Sequence, residues 1–306
     1  MLASRYLLLL AFLASVAYVH LRGRARFSFL RQLGNHSSLL APYNALMYLF
    51  SAVPSKPLLT ERDFPELAPL SANWRMIRDE ALKLSDEGYI RAALHNNDIG
   101  FNSFFKRGWK RFYLKWYDQP LPSARALCPR TVELIDSIPG VKGAMFALLA
   151  PRSRLNPHRD PFAGSLRYHL GLVTANSDAC FISVDGERYA WKDGDAVVFD
   201  ETYIHFVENN TDVTRIILLA DIERPLRTRA MRAVNRWASR CVVAATSTQN
   251  VEHEPVGALN RFYGKVYHPV ASRVGNAART LKRRHRPLYR VLQWSLVIFA
   301  AYLIFV

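Results

Sequence analysis

Between Lys142 and Asp221 the chain breaks into seven short apolar runs, and this segmentation restricts its fold more than any other feature. The runs are Gly143–Ala150, Leu166–Thr174, Ala179–Val184, Arg188–Trp191, Ala196–Asp200, Ile204–Glu208 and Val213–Asp221. Between them lie Asn176-Ser177-Asp178, Asp185-Gly186, Lys192-Asp193-Gly194-Asp195 and the polar stretch Glu208 to Asp212. Short β-prone runs separated by Gly, Asn and Asp clusters read as strands joined by turns. So many strands in so little chain predict a mainly β core, a double-stranded β-helix or jelly roll, rather than a parallel α/β sheet. Before this region, residues 65–94 carry Leu67, Leu70, Trp74, Ile77, Ala81 and Leu84 at helix-like spacing. Asn96 to Asp118, rich in Phe, Trp, Lys and Arg, reads as a helix and a strand with an amphipathic surface.

Four polar residues stand out within the β region. His158 and Asp160 fall in NPHRDPFAG, just before a predicted strand, with His205 and Arg215 further along. Two imidazoles and a carboxylate suit a facial triad for non-haem Fe(II), which leaves open positions for substrate and O₂. Zinc in the same triad, acting as a Lewis acid or generating hydroxide, is the chemical alternative. Arg215 interrupts the apolar strand VTRIILLADI. A guanidinium buried there requires an anionic partner, either a ligand carboxylate or a protein acid such as Asp200. Arg167 and His169 alternate along LRYHLGL and so share one face, lining a pocket or facing solvent.

The 306 residues carry 41 Lys+Arg against 25 Asp+Glu, a net charge of +16. That surplus allows an anionic partner, nucleic acid or membrane. It is concentrated: from Arg224 onward 15 basic residues face two acids, leaving +3 for residues 1–223. The aromatic and basic stretch before residue 118 matches no nucleic-acid-binding pattern, and nucleic acid is not expected as a partner. No obligatory protein partner is inferred. The three cysteines lie far apart, against a disulfide scaffold or a zinc ribbon. Two uncharged runs, Tyr6–Leu21 and Val291–Val306, have basic residues on their inner flanks. At ~1.5 Å per residue each is about 24 Å long, short of the ~30 Å hydrocarbon core but compatible with an anchor in a thinned bilayer. The positive-inside rule then places everything between them in the cytoplasm. A third run, Leu39–Val53, contains Pro42 and Asn44 and is expected to be interfacial or packed on the soluble domain. The expected organisation is an N-terminal membrane anchor (1–21), a basic juxtamembrane and interfacial segment (22–64), the jelly roll with its N-terminal helical part (65–223), a basic helical region (224–290) and a C-terminal membrane anchor (291–306).

The block from Asn156 to Pro225, with HRDPFAGSLRYHLGL and GDAVVFDETYIHFVENNTDVTRIILLADIERP, resembles the aspartyl/asparaginyl β-hydroxylase family. The resemblance implies a jelly-roll oxygenase using Fe(II), 2-oxoglutarate and O₂. It implies that His158 and His205 bind iron, that Asp160 holds the carboxylate position and that Arg215 binds 2-oxoglutarate. It places Arg167 and His169 near the co-substrate, and a serine of some members appears here as Ala147. The segments YVHLRGRARFSFLRQL and LLAPYNALMYLFSAVPSKP, with the apolar termini, are similar to the lipid A 2-hydroxylases of that family. This implies hydroxylation at C2 of a secondary acyl chain of lipid A, at the bacterial inner membrane with the catalytic domain facing the cytoplasm. The alternatives are hydroxylation of Asp or Asn in a protein or peptide, and a non-catalytic cupin-like metal-binding module.

Overall fold

A computed structural model describes the backbone of residues 2–93, 95 and 97–305, without the side chains of 2–4, 296–298, 300, 301 and 303–305. Its centre is two antiparallel sheets. The larger runs in the order β1 (Leu58–Leu59), β8 (Ala196–Phe199), β5 (Ser165–Val173), β10 (Arg215–Glu223), β3 (Val141–Leu149), β2 (Trp109–Trp116). The smaller runs β4 (Ser153–His158), β9 (His205–Asn209), β6 (Cys180–Val184), β7 (Glu187–Ala190). Each of the seven expected runs becomes a strand, with its ends shifted by no more than two residues.

The long strands β5 and β10 are buried nearly end to end. On β10, Ile216, Leu218, Ala220 and Ile222 form one face, while Arg215, Ile217, Leu219 and Asp221 form the other. The helix Trp74–Asp86 packs on β5 and buries Ile77, Ala81 and Leu84. A sheet covered on both sides demands apolar residues at successive positions, which is why these strands read as continuous hydrophobic runs. Gly171 of β5 is required by close approach: a Cβ there would lie 2.1 Å from the carbonyl oxygen of Lys192.

Three expectations change. Residues 54–64, expected to belong to the interfacial segment, contribute β1 to the larger sheet, which pairs Leu58 with Phe199 and Leu59 with Val198. The helical stretch expected over 65–94 ends at Asp86, followed by the positive-φ Gly88. Strand β4 is not among the expected runs, because Asn156 and Pro157 hide it. It is an edge strand with a register shift between Leu155 and His158, where a proline costs no ladder hydrogen bond.

The N-terminal segment forms α1 (Leu2–Leu21), α2 (Phe29–Leu33), α3 (His36–Leu39) and α4 (Ala41–Leu49). Leu39–Val53 packs on the domain through α4, with Ala41, Asn44 and Met47 buried. Among the described residues no helix is long and apolar enough to cross a membrane. The run expected to form an anchor at 1–21 is helical, and its last turns pack on the protein: Val16 and Val19 are buried against α4. At the end of α1, Arg22 reaches the buried Asp200 at 2.6 Å and lies between the rings of Tyr48 and Tyr203. Gly23, at φ +95°, turns the chain so that the N–H groups of Arg24 and Ala25 donate to Asp185. After β10 come α5 (Arg229–Ala238), α6 (Ala258–Phe262), α7 (His268–Arg284) and α8 (Arg286–Phe305). Much of the apolar run expected to anchor the C-terminus lies outside the described side chains.

Candidate metal centre

Antiparallel pairing of β4 with β9 sets His158 directly opposite His205. Their rings are 4.2 Å apart, and Asp160, two residues beyond the end of β4, completes a group whose ligand atoms all lie within 4.8 Å of one another. Both imidazoles are oriented by the same device. His158 Nδ1–H donates to the carbonyl of Asn156 at 2.7 Å, and His205 Nδ1–H donates to that of Tyr203 at 3.0 Å. This fixes the tautomer and leaves each Nε2 lone pair free for an ion. Burial lowers the pKa of His158, and pushes that of His205 down to about 3 with help from the neighbouring His158. Both rings are neutral at physiological pH, the form that ligates metal.

Asp160 is ionised. Burial alone would raise its pKa, but Arg167, His205 and His158 outweigh that and hold it well below the usual carboxylate range. Arg167 Nη1 donates to Asp160 Oδ2 at 2.8 Å, while Nε and Nη2 reach Asp221 Oδ1 at 3.0 and 2.9 Å. Glu201 also lies against Nη2 and accepts from the Ser165 hydroxyl. One guanidinium thus holds three carboxylates, and burial raises Glu201 well above its ordinary value. Asp221 faces Arg167 across the β5–β10 ladder, and Tyr117 donates to its other oxygen. Asp221, Glu201, Ser165 and Tyr117 were absent from the sequence expectations. A legible signal for Asp221 was its position on the Arg215 face of β10, and for Glu201 the acid pair that precedes His205.

The cavity between the sheets, about 410 Å³ including its mouth, contains His158, His205, Arg167, His169 and Arg215 among its lining residues. Arg167 and His169 are both buried, so their shared strand face lines this space rather than solvent. Arg215 is 2% exposed and, among the described residues, has no carboxylate within salt-bridge distance. The alternative pairing with Asp200 fails, because Asp200 is bonded to Arg22 and Arg224. Instead the Arg215 guanidinium sits 4.4 Å from the centre of the Trp191 ring, its Nε without a partner, and burial lowers its pKa to about 10. Among the described residues both ring nitrogens of His169 also lack partners, and burial followed by the charges of Arg215 and Arg167 keeps it neutral. A buried cation and an unpaired imidazole in one cavity are arranged for an anionic ligand that brings its own acceptors. Ala147 pairs with Ile217 in the ladder and offers no hydroxyl there.

The donor set of two neutral imidazoles and one carboxylate fits Fe(II), with positions left for other ligands. Phe101, Phe104 and Trp109 form an apolar wall beside it, with the Phe104 ring 4.8 Å from that of His158.

Comparison with known proteins matches residues 71–225 to the aspartyl/asparaginyl β-hydroxylase family. The ornithine lipid ester-linked acyl 2-hydroxylase of Rhizobium tropici is 32% identical over 204 residues, covering 66% of this chain and 72% of that protein. The aspartyl/asparaginyl β-hydroxylase of Homo sapiens is 26% identical over 187 residues, covering 58% of this chain but only 24% of the human protein. Among solved structures, a Pseudomonas putida prolyl-4-hydroxylase aligns over 49% of this chain and 86% of its own, at 18% identity and a TM-score of 0.34. That likeness is weak, and the architecture rests on the sheet order itself.

Proposed function

The chain belongs to the aspartyl/asparaginyl β-hydroxylase family, and from that premise we propose that it hydroxylates C2 of a secondary acyl chain of lipid A at the cytoplasmic face of a bacterial inner membrane. Membership makes it a hydroxylase of the Fe(II)/2-oxoglutarate type. The observation that carries the reaction is Arg215, a buried guanidinium without an acid partner among the described residues, in the cavity that His158 and His205 of the His158, Asp160, His205 group also line. The three ligands would hold iron, and Arg215 would pair with the far carboxylate of 2-oxoglutarate. Iron with 2-oxoglutarate and O₂ supplies the oxidising power to replace C–H by C–OH, with succinate and CO₂ as co-products. The remaining work belongs to the protein. Arg167 borders the co-substrate space and holds Asp160 in place. His169, neutral, donates or accepts one hydrogen bond there. Phe101, Phe104 and Trp109 exclude water and present an apolar surface suited to an acyl chain.

The lipid substrate draws support from the Rhizobium acyl 2-hydroxylase and from the apolar side chains that α1–α4 leave exposed, including Leu8, Leu30 and Leu39. Arg24, Arg26 and Arg31 lie in the same segment and suit anionic headgroups. The test compares lipid A and total lipid extracts, by mass spectrometry, from cells with and without the gene. The expected result is lipid A heavier by one oxygen atom on an acyl chain. The same gain confined to another acylated lipid would move the substrate. No gain in any lipid would turn the reading toward Asp or Asn side chains. Purified protein that turns over no 2-oxoglutarate with Fe(II) would leave only the non-catalytic binding module.

A further inference from the structure

The segment that carries two of the three proposed ligands has little support of its own. His158 ends an edge strand, and Arg159 to Gly164 form no regular structure. Pro157 and Pro161 remove two backbone donors, so this stretch cannot complete a ladder. From the barrel it receives two bonds at the ligand itself: the Asp160 N–H donates to the carbonyl of Glu201 at 3.0 Å, and Arg167 Nη1 donates to the Asp160 carboxylate at 2.8 Å. Arg224 and Asn235 hold the carbonyls of Ala163 and Gly164 at the far end.

Most of what grips the middle comes from the N-terminal helices. Arg159 Nη1 donates to the carbonyl of Val19, in the last buried turn of α1, at 2.7 Å. His36 Nε2–H donates to the carbonyl of Arg159 at 2.9 Å. Asn44 of α4 uses both ends of its amide: Nδ2 donates to the carbonyl of Pro161 at 2.8 Å, and Oδ1 accepts from the N–H of Ala163 at 3.0 Å. Beside it the Tyr43 and Phe162 rings stack at 5.3 Å. Asn44 is fully buried, and a buried amide is costly unless it makes such bonds. Its two bonds supply the donor and acceptor that a neighbouring strand would otherwise provide.

We infer that the helical segment Val19–Asn44, which lies outside the residues matched to the family, is a positioning element of the metal centre. Asn44 and His36 hold the His158–Asp160 loop at the spacing an ion requires. Through Arg159 and Val19 the seating of α1 is mechanically joined to that spacing, so whatever displaces α1 also loosens the metal site. The inference rests on the reading that His158, Asp160 and His205 bind the metal.

The experiment uses the full chain in detergent, with Co(II) as a spectroscopic probe in place of iron. Co(II) affinity and ligand-field absorption are read separately from the thermal midpoint of the metal-free protein. Asn44→Leu, which removes both amide bonds at similar volume, is expected to weaken Co(II) binding about 10–100-fold and to shift its absorption bands. Leu46→Ala, an exposed position on the same helix, is expected to leave both unchanged. Should Asn44→Leu not fold, His36→Ala removes a single bond and carries the same expectation at a few-fold loss. A folded Asn44→Leu or His36→Ala protein with the parent's affinity and bands overturns the inference, whatever its thermal midpoint. If the parent binds no Co(II), or His158→Ala binds it as the parent does, the metal reading itself fails.

Discussion

Arg215 shows at the scale of one residue how a site can work against stability. Its charge is buried over Trp191 with no acid among the described residues to balance it, and burial pulls its pKa down to about 10. Replacing it with a side chain of similar length and no charge relieves that cost. Arg215→Met is expected to stabilise the metal-free protein by about 1–4 kcal/mol in denaturant unfolding while abolishing 2-oxoglutarate turnover. A destabilised variant that still turns over the co-substrate would refute this role. His169 gives the corresponding pH effect. Its folded pKa lies well below the ordinary 6.5, because of burial, Arg215 and Arg167. The unfolded chain therefore takes up a proton that the folded chain refuses. The stability it contributes is complete above about pH 6.5 and falls as pH drops toward the folded pKa, by up to about 1.4 kcal/mol per pH unit. His169→Leu should flatten that slope in metal-free protein, and an unchanged slope would contradict the assignment.

At the scale of elements, the decisive junctions are places where backbone or charge leaves no slack. Arg22 ties α1 to the barrel through Asp200, which Arg224 also engages at 2.8 Å. Arg22→Met is expected to cost about 3 kcal/mol and to expose the end of α1 to limited proteolysis at subdenaturing urea. Gly171→Ala would push a methyl group into the Lys192 carbonyl, which is backbone and cannot rotate aside. A loss of about 1–3 kcal/mol in thermal or urea unfolding is expected, and a neutral effect would show that the β5 edge of the cavity yields more than its packing implies. Legibility followed the same line. Strands β5 and β10 were visible because a strand buried on both faces must be apolar throughout. β4 was not visible, because an edge strand with a bulge and a proline needs only Leu155 inside.

For the whole molecule, charge and apolar surface are unevenly distributed. Most of the +16 surplus lies from Arg224 onward, and the N-terminal helices expose Leu8, Leu30 and Leu39 at 72%, 81% and 78%. The full chain is expected to float with vesicles containing anionic lipid and to release as salt rises. Leu30→Glu with Leu39→Glu should reduce flotation without changing the thermal midpoint of the protein. Equal flotation by the double variant would show that these leucines do not meet the bilayer.

The sequence by itself determined the β core, the order His158, Asp160, His205, Arg215, and the apolar strand that Arg215 interrupts. Those are consequences of local periodicity and residue chemistry, which a linear chain displays. Only the tertiary structure decided who partners whom. Asp200 proved to serve Arg22 and Arg224 rather than Arg215, Arg167 gathered three carboxylates, and an apolar N-terminal run became a helix seated against the metal loop. Nearly all of these contacts join residues tens to more than a hundred positions apart. Burial then sets their energies, because an unpaired charge costs little in water and a great deal between two sheets.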